Sequence, residues 1–416
     1  MNTVTIIGQG YVGLPLAEAA TSAGLHVYGY DVSTRVCEML RQGRSHVDDV
    51  SDAEIVRMLA NGYEPTTDAS VIGLSDVVVI CVPTPLGDGG GPDLTAVRSA
   101  SSTIAENLRA GSLVILESTT YPGTTESVLI PALEHGSGLK SEKDFEVAFS
   151  PERVNPGDPV YGIRNTPKLV GGVSGRATEL AVQFYSRFVD QVVPLAGPRE
   201  AETAKLLENT FRHVNIALVN EMAKFCHDMD IDIWEVIRGA ATKPFGFMRF
   251  TPGPGVGGHC IPIDPNYLAY EVKSRLGYPF RFVELAQEIN NSMPEYVVGR
   301  LAKLLNDQER SVRGSSVLLL GVTYKPDIAD QRESPSVAVA KRLIALGADV
   351  QYHDPFVPEW KVDGVLLKSV SDLDRALDSV HVSVLLQAHT QYRNANLEDK
   401  ARLLFDTRGI TGGVRL

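Results

Sequence analysis

The chain has 416 residues, of which 44% are hydrophobic and 22% are charged, with 51 acidic residues against 39 basic ones. This length exceeds what one hydrophobic core supports, so two or three domains are expected. The formal net charge of −12 disfavours binding to nucleic acid or to an anionic membrane surface, and no apolar run is long enough for a membrane span.

The amino terminus and the cysteines bear on the compartment. Residues Met1–Ile7 lead directly into a strand and lack the basic start and long apolar stretch of a signal peptide. The four cysteines, Cys37, Cys81, Cys226 and Cys260, are scattered without paired spacing. We therefore expect a cytoplasmic protein with free thiols.

Strands alternate with helices in the amino-terminal half, a pattern that predicts a mostly parallel sheet. Helical periodicity fills much of the chain between the strands, for example at Pro15–Ala23 and Leu94–Leu108. The predicted strands are Thr3–Ile7, Val27–Asp31, Val77–Val82, Leu113–Glu117, Val147–Ser150, Lys168–Gly172 and Gln191–Pro194.

A glycine loop follows the first predicted strand and opens the first predicted helix, at Gly8-Gln9-Gly10-Tyr11-Val12-Gly13. In this context the glycines let the backbone approach a pyrophosphate, whose charge the helix amino terminus favours. Asp31, 18 residues beyond Gly13, would accept hydrogen bonds from ribose hydroxyls and so favours NAD over NADP. Arg35 weakens that preference. The alternative is a glycine turn that only packs helix on strand.

Further polar residues end strands of the predicted sheet, where ligands of parallel sheets bind. Glu152 follows one strand and could activate a water, or it could belong to a structural salt bridge. Ser118–Thr120 and Val82–Pro85 end two other strands and could line the same cleft.

The pattern changes to one long amphipathic helix from Arg199 to about Asp228. About thirty residues at 1.5 Å each extend roughly 45 Å, more than one domain needs, so this helix should join two domains and contribute to a dimer. Lys205 and Asn209 lie four apart on it and could stabilise an oxyanion, unless they belong to a solvated helix face.

Cys260 lies in a glycine-walled segment, Pro254-Gly255-Val256-Gly257-Gly258-His259-Cys260. Glycines leave room for a substrate to approach, and a thiol can accept an aldehyde covalently. Asp264 could hold a water or take a proton, although an Asp before Pro is usually a turn residue. His259 and Cys260 lack a second ligand pair, so no metal is expected.

The carboxyl-terminal part repeats the strand-helix-strand pattern. A helical stretch near Pro279–Asn306 precedes a strand at Ser316–Gly321, and Ala348–Asp354 echoes Leu25–Asp31. This predicts a second nucleotide-fold domain in which Gly321–Pro326 replaces the glycine fingerprint. Lys325 in that loop would suit a phosphate, and the ligand should differ from that of the first domain.

These motifs together resemble the UDP-glucose/GDP-mannose dehydrogenases, in the family's order and over nearly the whole chain. The resemblance implies an α/β protein with two Rossmann-like domains joined by a long central helix: an NAD-binding domain at 1–198, a central dimerisation domain with Cys260 at 199–302, and a UDP-sugar-binding domain at 303–416. The segments that carry the resemblance are Gly8–Pro15, Ser150–Arg153, Glu202–Lys205 with Asn209, Gly257–Cys260 with Asp264, Tyr324–Asp327 and Arg332–Pro335.

Family resemblance implies oxidation of a nucleotide-sugar C6 alcohol to a carboxylate with two NAD reduced, in a homodimer. Cys260 would then form the thiohemiacetal and thioester, Lys205 and Asn209 would stabilise oxyanions, and Asp264, Glu152 and Thr120 would position or activate water. The implied cofactor residues are Gly8, Gly10, Tyr11, Val12, Gly13, Asp31, Arg35, Thr84, Thr120 and Arg332. The implied substrate residues are Glu152, Arg153, Lys205, Asn209, Lys243, Arg249, Gly257 and Lys325.

Departures from the family pattern bear on the sugar. Ile261-Pro262-Ile263-Asp264 with His259 looks like the branch acting on UDP-N-acetylhexosamines, and Lys243–Phe247 is similar to the UDP-N-acetylglucosamine 6-dehydrogenases. UDP-N-acetylmannosamine and UDP-glucose remain alternatives, as do a single-step dehydrogenase and a noncatalytic nucleotide-sugar sensor. Either Lys243 or Arg249 could be a basic residue donated by the partner subunit.

Overall fold

The computed structural model describes residues 1–87, 91–154, 160–258 and 263–416. Cys260, His259, Ile261 and Pro262 therefore lie outside the described residues. Within them the chain forms two compact units, Met1–Glu208 and Asn209–Leu416.

The first unit is built on an eight-stranded sheet. Its strand order is β3-β2-β1-β4-β5-β6-β7-β8, which begins with the order of a dinucleotide-binding fold, and every neighbouring pair is parallel except β6 with β7. The strands are β1 Thr3–Ile7, β2 His26–Tyr30, β3 Tyr63–Thr66, β4 Val77–Ile80, β5 Leu113–Leu116, β6 Glu146–Phe149, β7 Lys168–Gly172 and β8 Val192–Pro194.

Helices cover both faces of this sheet, so its central strands are buried on both sides. In β4 the run Val-Val-Val-Ile is buried at all four positions, as a parallel strand between two helical layers requires. The helices are α1 Gly13–Ser22, α2 Thr34–Arg41, α3 Asp52–Ala60, α4 Thr95–Asn107, α5 Ile130–Ser137, α6 Gly175–Tyr185 and α7 Pro198–Asp228, the last continuing into the second unit.

The second unit contains a five-stranded parallel sheet with the order β10-β9-β13-β14-β15 and a separate antiparallel pair, β11 with β12. Its strands are β9 Ser316–Leu320, β10 Asp349–His353, β11 Glu359–Val362, β12 Val365–Lys368, β13 Val382–Leu385, β14 Leu404–Asp406 and β15 Val414–Arg415. The remaining helices are α8 Ile233–Ala240, α9 Asp264–Leu276, α10 Arg281–Asn306, α11 Pro335–Ala345, α12 Leu373–Ser379, α13 Thr390–Arg393 and α14 Leu397–Lys400.

The predicted α/β class, with two Rossmann-like domains and a long central helix, is confirmed. Each of the seven predicted strands coincides with an observed one, with ends differing by no more than two residues. The turn alternative for Asp264 is wrong, because Asp264 begins α9. Pro265 follows it in the first turn, where a missing N–H leaves no helical hydrogen bond unmade.

Candidate active site

The loop between β1 and α1 has three glycines with different reasons to be glycine. Gly8 has φ of +91°, and a Cβ there would lie 2.6 Å from the carbonyl oxygen of Cys81. A Cβ on Gly13 would lie 1.8 Å from the carbonyl oxygen of Gly8. Gly10 has no heavy atom within 4 Å of its Cβ position. Packing therefore fixes Gly8 and Gly13, while Gly10 leaves open space in which a pyrophosphate can approach the backbone.

Asp31 follows β2 directly, and both of its carboxylate oxygens are held by the backbone. It accepts hydrogen bonds from the amide of Gln9 at 2.9 Å and from the amide of Ser33 at 2.8 Å. Each oxygen has a second lone pair, so the carboxylate can also accept from ribose hydroxyls. Arg35 lies exposed in the first turn of α2, and Tyr11 in the glycine loop is 40% exposed.

The loops after β4 and β5 meet beside the glycine loop. The Thr84 hydroxyl donates to the carbonyl oxygen of Thr119 at 2.8 Å, and the Ser118 hydroxyl donates to that of Val82 at 2.7 Å. Thr120 is 1% exposed, and its hydroxyl has no hydrogen-bond partner among the described residues. An unpaired buried hydroxyl and an open glycine position fit a bound dinucleotide, so the residues present suit NAD.

Replacing Gly13 with alanine should weaken NAD binding by about tenfold or more, which corresponds to about 1.4 kcal/mol. The new methyl group would collide with the Gly8 backbone and push the loop out of place. Calorimetric titration of NAD measures the loss. Gly175→Ala is the matched control, since no atom lies within 4 Å of that Cβ position in the same unit. Unchanged affinity in Gly13→Ala would contradict the role of this loop.

Glu152 lies among buried charged groups of the first unit. Its Oε1 accepts from the amide of Val154, and its Oε2 lies 3.3 Å from Nζ of Lys168. Lys168 Nζ also lies 3.1 Å from Oε1 of Glu117, to which the Tyr185 hydroxyl donates. The salt bridge considered for Glu152 therefore exists, and it leaves lone pairs on the carboxylate free to accept from water.

Burial and charge oppose each other in this cluster. Burial raises the pKa of Glu152, but the Lys168 ammonium, the Val154 amide and Lys205 lower it more, so the net pKa lies below the ordinary value. Burial lowers the pKa of Lys168, yet the carboxylates of Glu117 and Glu152 raise it above its ordinary value. Both groups are consequently charged at neutral pH.

Helix α7 presents Lys205 and Asn209 one turn apart, and both side chains are buried. Lys205 Nζ donates to the backbone carbonyl oxygen of Glu152. The Asn209 amide donates to Oδ2 of Asp264 at 2.5 Å, and Asp264 is 3% exposed. The alternative of a solvated helix face is therefore wrong for this pair. A carboxylate that fixes an amide in this way also fixes where the second N–H of the amide points.

The other predicted substrate residues occupy varied surroundings. Arg153 pairs with Glu208 at 2.7 Å and donates to the carbonyl oxygen of Pro167 at 2.5 Å. Lys243 and Arg249 are exposed, and Lys243 Nζ lies 4.9 Å from the centre of the Phe245 ring. Arg332 forms a charge-assisted pair with Asp330.

The glycine run before Cys260 packs against the loop that carries Lys325. A Cβ on Gly257 would lie 2.6 Å from the carbonyl oxygen of Glu333, and one on Gly258 would lie 2.7 Å from the Tyr324 ring. The amide of Gly258 donates to the carbonyl oxygen of Arg332 at 3.2 Å. Only glycine permits this approach, so the segment leading to Cys260 is fixed against the 324–333 loop.

The second sheet repeats the backbone arrangement around Asp31. Asp354 follows β10 and accepts from the amide of Val322 at 2.7 Å, as Asp31 accepts from Gln9. In the second unit, however, Nε2 of His389 lies 3.1 Å from the same carboxylate. Because Nδ1 of His389 accepts from the amide of Asp327 at 2.9 Å, Nε2 carries the proton and donates to Asp354. His389 thus links Asp354 to the backbone of Asp327 in the loop that carries Lys325.

The three described cysteines lack the properties of nucleophiles. Burial raises the pKa of Cys37, Cys81 and Cys226, and in Cys81 the nearby Glu117 carboxylate raises it further. Each is therefore a protonated, packed thiol, as expected. Among the described residues, no helix combines the length and the apolar character needed to cross a membrane.

Comparison with known proteins shows that nearly the whole chain matches one protein family. Three domains of the UDP-glucose/GDP-mannose dehydrogenase family match: the NAD binding domain at residues 2–189, the central domain at 199–292 and the UDP binding domain at 318–413. The chain belongs to this family. It is accordingly an NAD-dependent UDP-sugar dehydrogenase.

Named relatives differ in their sugar. The chain is 34% identical to UDP-N-acetyl-D-glucosamine 6-dehydrogenase of Pseudomonas aeruginosa, covering 96% of this chain and 93% of the relative. It is also 34% identical to UDP-N-acetyl-D-mannosamine dehydrogenase of Pyrococcus horikoshii, covering 98% and 95%. A solved structure of UDP-D-ManNAc dehydrogenase from P. horikoshii superposes with a TM-score of 0.90 at 32% identity, covering 99% of this chain and 98% of that one.

Four buried polar residues near the candidate site, Glu117, Lys168, Tyr185 and Glu202, have no role assigned from the sequence. Glu117 and Lys168 were predicted only as residues of strands and Tyr185 was not predicted at all, yet Lys168 pairs with Glu152 and Glu117, and Tyr185 donates to Glu117. Glu202 is fully buried on α7 and accepts from the amides of Gly123 at 2.5 Å and Thr125 at 3.0 Å. Burial raises the pKa of Glu202 to about 7 despite these hydrogen bonds. The sequence signal for Glu202 was a charged residue at a buried position of the amphipathic helix α7.

Proposed function

We propose that the protein oxidises the C6 alcohol of UDP-N-acetylglucosamine to the carboxylate, through a thiohemiacetal and a thioester on Cys260, with two NAD reduced per sugar. The observation that carries this proposal is the buried pair of Asn209 and Asp264, joined at 2.5 Å, with Asp264 four residues after Cys260. A buried amide fixed by a carboxylate that is only four residues from a cysteine in the sequence suits oxyanion stabilisation.

Bound NAD supplies the hydride acceptor for each of the two oxidations. After C6 becomes an aldehyde, the Cys260 thiolate adds to its carbon and forms the thiohemiacetal. Lys205 and Asn209 donate hydrogen bonds to the oxygen, whose negative charge develops as the C–S bond forms. Loss of the second hydride converts the thiohemiacetal into a thioester.

Hydrolysis completes the reaction. Glu152 accepts a proton from water as the oxygen attacks the thioester carbonyl. The C–S bond then breaks, Glu152 returns its proton to the departing Cys260 sulfur, and the sugar acid loses its remaining proton to solvent as the carboxylate forms. The lowered pKa of Glu152 keeps it ionised and ready to accept that proton at neutral pH. Asp264, fixed by Asn209, and Thr120 are the further groups we assign to water and oxyanion positioning.

UDP-N-acetylglucosamine is our choice of sugar because Lys243–Phe247 is similar to the enzymes for that substrate and because the Pseudomonas aeruginosa relative carries that name. UDP-N-acetylmannosamine is the second candidate, favoured by the TM-score of 0.90 to the Pyrococcus horikoshii structure. The chemistry at C6 is the same for both sugars, which differ in configuration at C2.

NADH release with each of three sugars tests the choice: UDP-N-acetylglucosamine, UDP-N-acetylmannosamine and UDP-glucose. We expect the highest kcat/KM with the first and two NADH per sugar consumed. Preference for either of the others would overturn the sugar but keep the four-electron oxidation. One NADH per sugar with any substrate would indicate a single-step dehydrogenase, and binding without NADH would indicate a sensor.

We further propose a homodimer formed through α7, with the division 1–198, 199–302 and 303–416 as its functional domains. An apolar stripe follows one face of α7 within the second unit and ends at Met229, directly after the helix, and its members are exposed by 37% to 59%. Such a continuous apolar stripe is unusual on a free surface and suits a second copy. The stripe consists of Phe211, Leu218, Met222, Phe225 and Met229.

Changing both Leu218 and Phe225 to glutamate should convert the dimer into a monomer, since two buried carboxylates would face a second apolar stripe. Sedimentation velocity should show the mass fall from twice 45.0 kDa to 45.0 kDa. Activity should fall with it if Lys243 or Arg249 acts across the interface. Leu366→Glu, at an exposed position on β12, is the control that should stay dimeric. A dimeric double variant would contradict the proposed interface.

A further inference from the structure

A buried lysine lies between two carboxylates in the first unit. Lys168 begins β7, and its side chain is 7% exposed, against 0% for Glu117 and 14% for Glu152. Its Nζ lies 3.1 Å from Glu117 and 3.3 Å from Glu152. Two of the three ammonium donor directions are therefore directed at carboxylates.

Tyr185 adds further contacts around the Lys168 ammonium. Nζ lies 5.2 Å from the centre of the Tyr185 ring, and the Tyr185 hydroxyl donates to Glu117. These contacts come from different elements: Glu117 follows β5, Tyr185 ends α6 and Glu152 follows β6. Because the position of Nζ is fixed from several elements, it gives Glu152 Oε2 a fixed partner.

We propose that Lys168 is a positioning residue, which holds the Glu152 carboxylate ionised and aimed for proton transfer from the hydrolytic water. This inference rests on the proposed role of Glu152 in thioester hydrolysis. Glu117 and Tyr185 anchor the lysine, and Lys168 itself does not touch the reacting atoms.

Among the described residues, the other groups near Glu152 do not supply a positive charge hydrogen-bonded to its carboxylate. Lys205 donates to the backbone carbonyl oxygen of Glu152, and the Val154 amide donates to Oε1. Arg153 is paired with Glu208, and the thiol of Cys81 is neutral because burial raises its pKa. In the described part of the chain, Lys168 is therefore the cation that donates a hydrogen bond to the side-chain carboxylate of Glu152.

The arrangement predicts a particular change in the pH profile. An opposite charge close to a carboxylate lowers its pKa by about one to three units. Removing the Lys168 ammonium should therefore raise the pKa of Glu152 and move the acid limb of kcat to higher pH by about one unit or more. At pH values above the shifted limb, hydrolysis by the Lys168 variant should recover, because Glu152 is again ionised.

The experiment measures kcat against pH in the dimeric holoenzyme with saturating NAD and UDP-sugar, together with the thioester fraction in acid-quenched samples. Lys168→Met should move the acid limb upward and accumulate thioester below it, with KM for the sugar within about threefold of wild type. Lys168→Arg should restore the profile. Lys140→Met, which breaks the exposed pair with Glu134, is the matched control and should leave it unchanged.

Two further variants keep the outcome clear. If Lys168→Met fails to fold, Lys168→Met combined with Glu117→Gln removes both buried charges and should still shift the acid limb upward, by less than Lys168→Met alone because the repulsion from Glu117 is also lost. Glu117→Gln alone keeps the ammonium beside Glu152 and should not move the limb upward. A fall in kcat that is equal at every pH, with the limb unmoved, would reduce Lys168 to a structural residue and overturn the proposal.

The variant Glu152→Gln distinguishes the proposed role of Glu152 in hydrolysis from the proposed role of Lys168 in positioning it. If that variant hydrolyses the thioester as fast as wild type, the proposed function of Glu152 fails. If Glu152→Gln blocks hydrolysis while the limb of Lys168→Met stays in place, only the role of Lys168 fails.

Discussion

Replacing Cys260 with serine is expected to reduce full turnover to the carboxylate by about a thousandfold or more while NAD affinity stays unchanged. A serine hydroxyl is ionised far less readily than a thiol, so it adds poorly to the aldehyde, and the ester that it could form would be hydrolysed more slowly than a thioester. At most one NADH per sugar should then be released.

The measurement compares NADH formed per sugar consumed in wild type and Cys260→Ser, with calorimetric titration of NAD as the check on folding. Cys226→Ser serves as the control, since burial keeps that thiol protonated and it lies in a packed cluster with Trp234 and Ile237. A Cys260→Ser enzyme that still yields two NADH per sugar would end the covalent proposal.

The strands and the cofactor loop could be predicted because their signals are local. The fully apolar runs of β4 and β5 and the spacing of Gly8, Gly10, Gly13 and Asp31 are contained in short windows of sequence. Strand β3 was not predicted, because Glu64 and Pro65 interrupt the run of apolar residues that marks a buried strand. The structure explains the exception, since β3 lies at the sheet edge, where proline is tolerated.

The environment of Glu152 could not be predicted, because its partners are far apart in the chain. Glu117, Lys168 and Tyr185 come together only when β5, β7 and α6 pack around one sheet, and a lysine at the start of an apolar strand gives no local sign of two buried partners. The same holds for His389, whose contact with Asp354 depends on β13 lying on the side of β9 opposite β10.

The second domain shows how pattern and packing combine. The sequence predicted that Ala348–Asp354 repeats Leu25–Asp31, and both aspartates do accept from the amide two positions after the end of the first strand of their sheet. The two sites differ in that Asp354 also accepts a hydrogen bond from Nε2 of His389, which is distant in the sequence. A repeat in sequence thus predicted the backbone arrangement, whereas the histidine contact to Asp354 is long-range and could not be predicted from the repeat.

Changing Lys205 to alanine should lower kcat by about a hundredfold to a thousandfold, the loss seen when one donor to an oxyanion is removed. Lys205 is 9% exposed and hydrogen-bonded to the backbone of Glu152, so its ammonium is already desolvated and fixed before substrate binds. A donor prepared in this way loses little free energy to reorganisation when charge develops on the sugar oxygen. The effect should therefore fall on kcat more than on KM.

Steady-state kinetics with saturating NAD measures this loss, and Lys224→Ala provides the matched control. Lys224 lies on the same helix about 28 Å further along and donates to Ser292 at 2.7 Å. Its removal should leave kcat within about twofold, because it contacts neither Glu152 nor Asn209. A rise in KM at constant kcat in Lys205→Ala would show that this lysine binds the ground state and the transition state equally, which would contradict the oxyanion role.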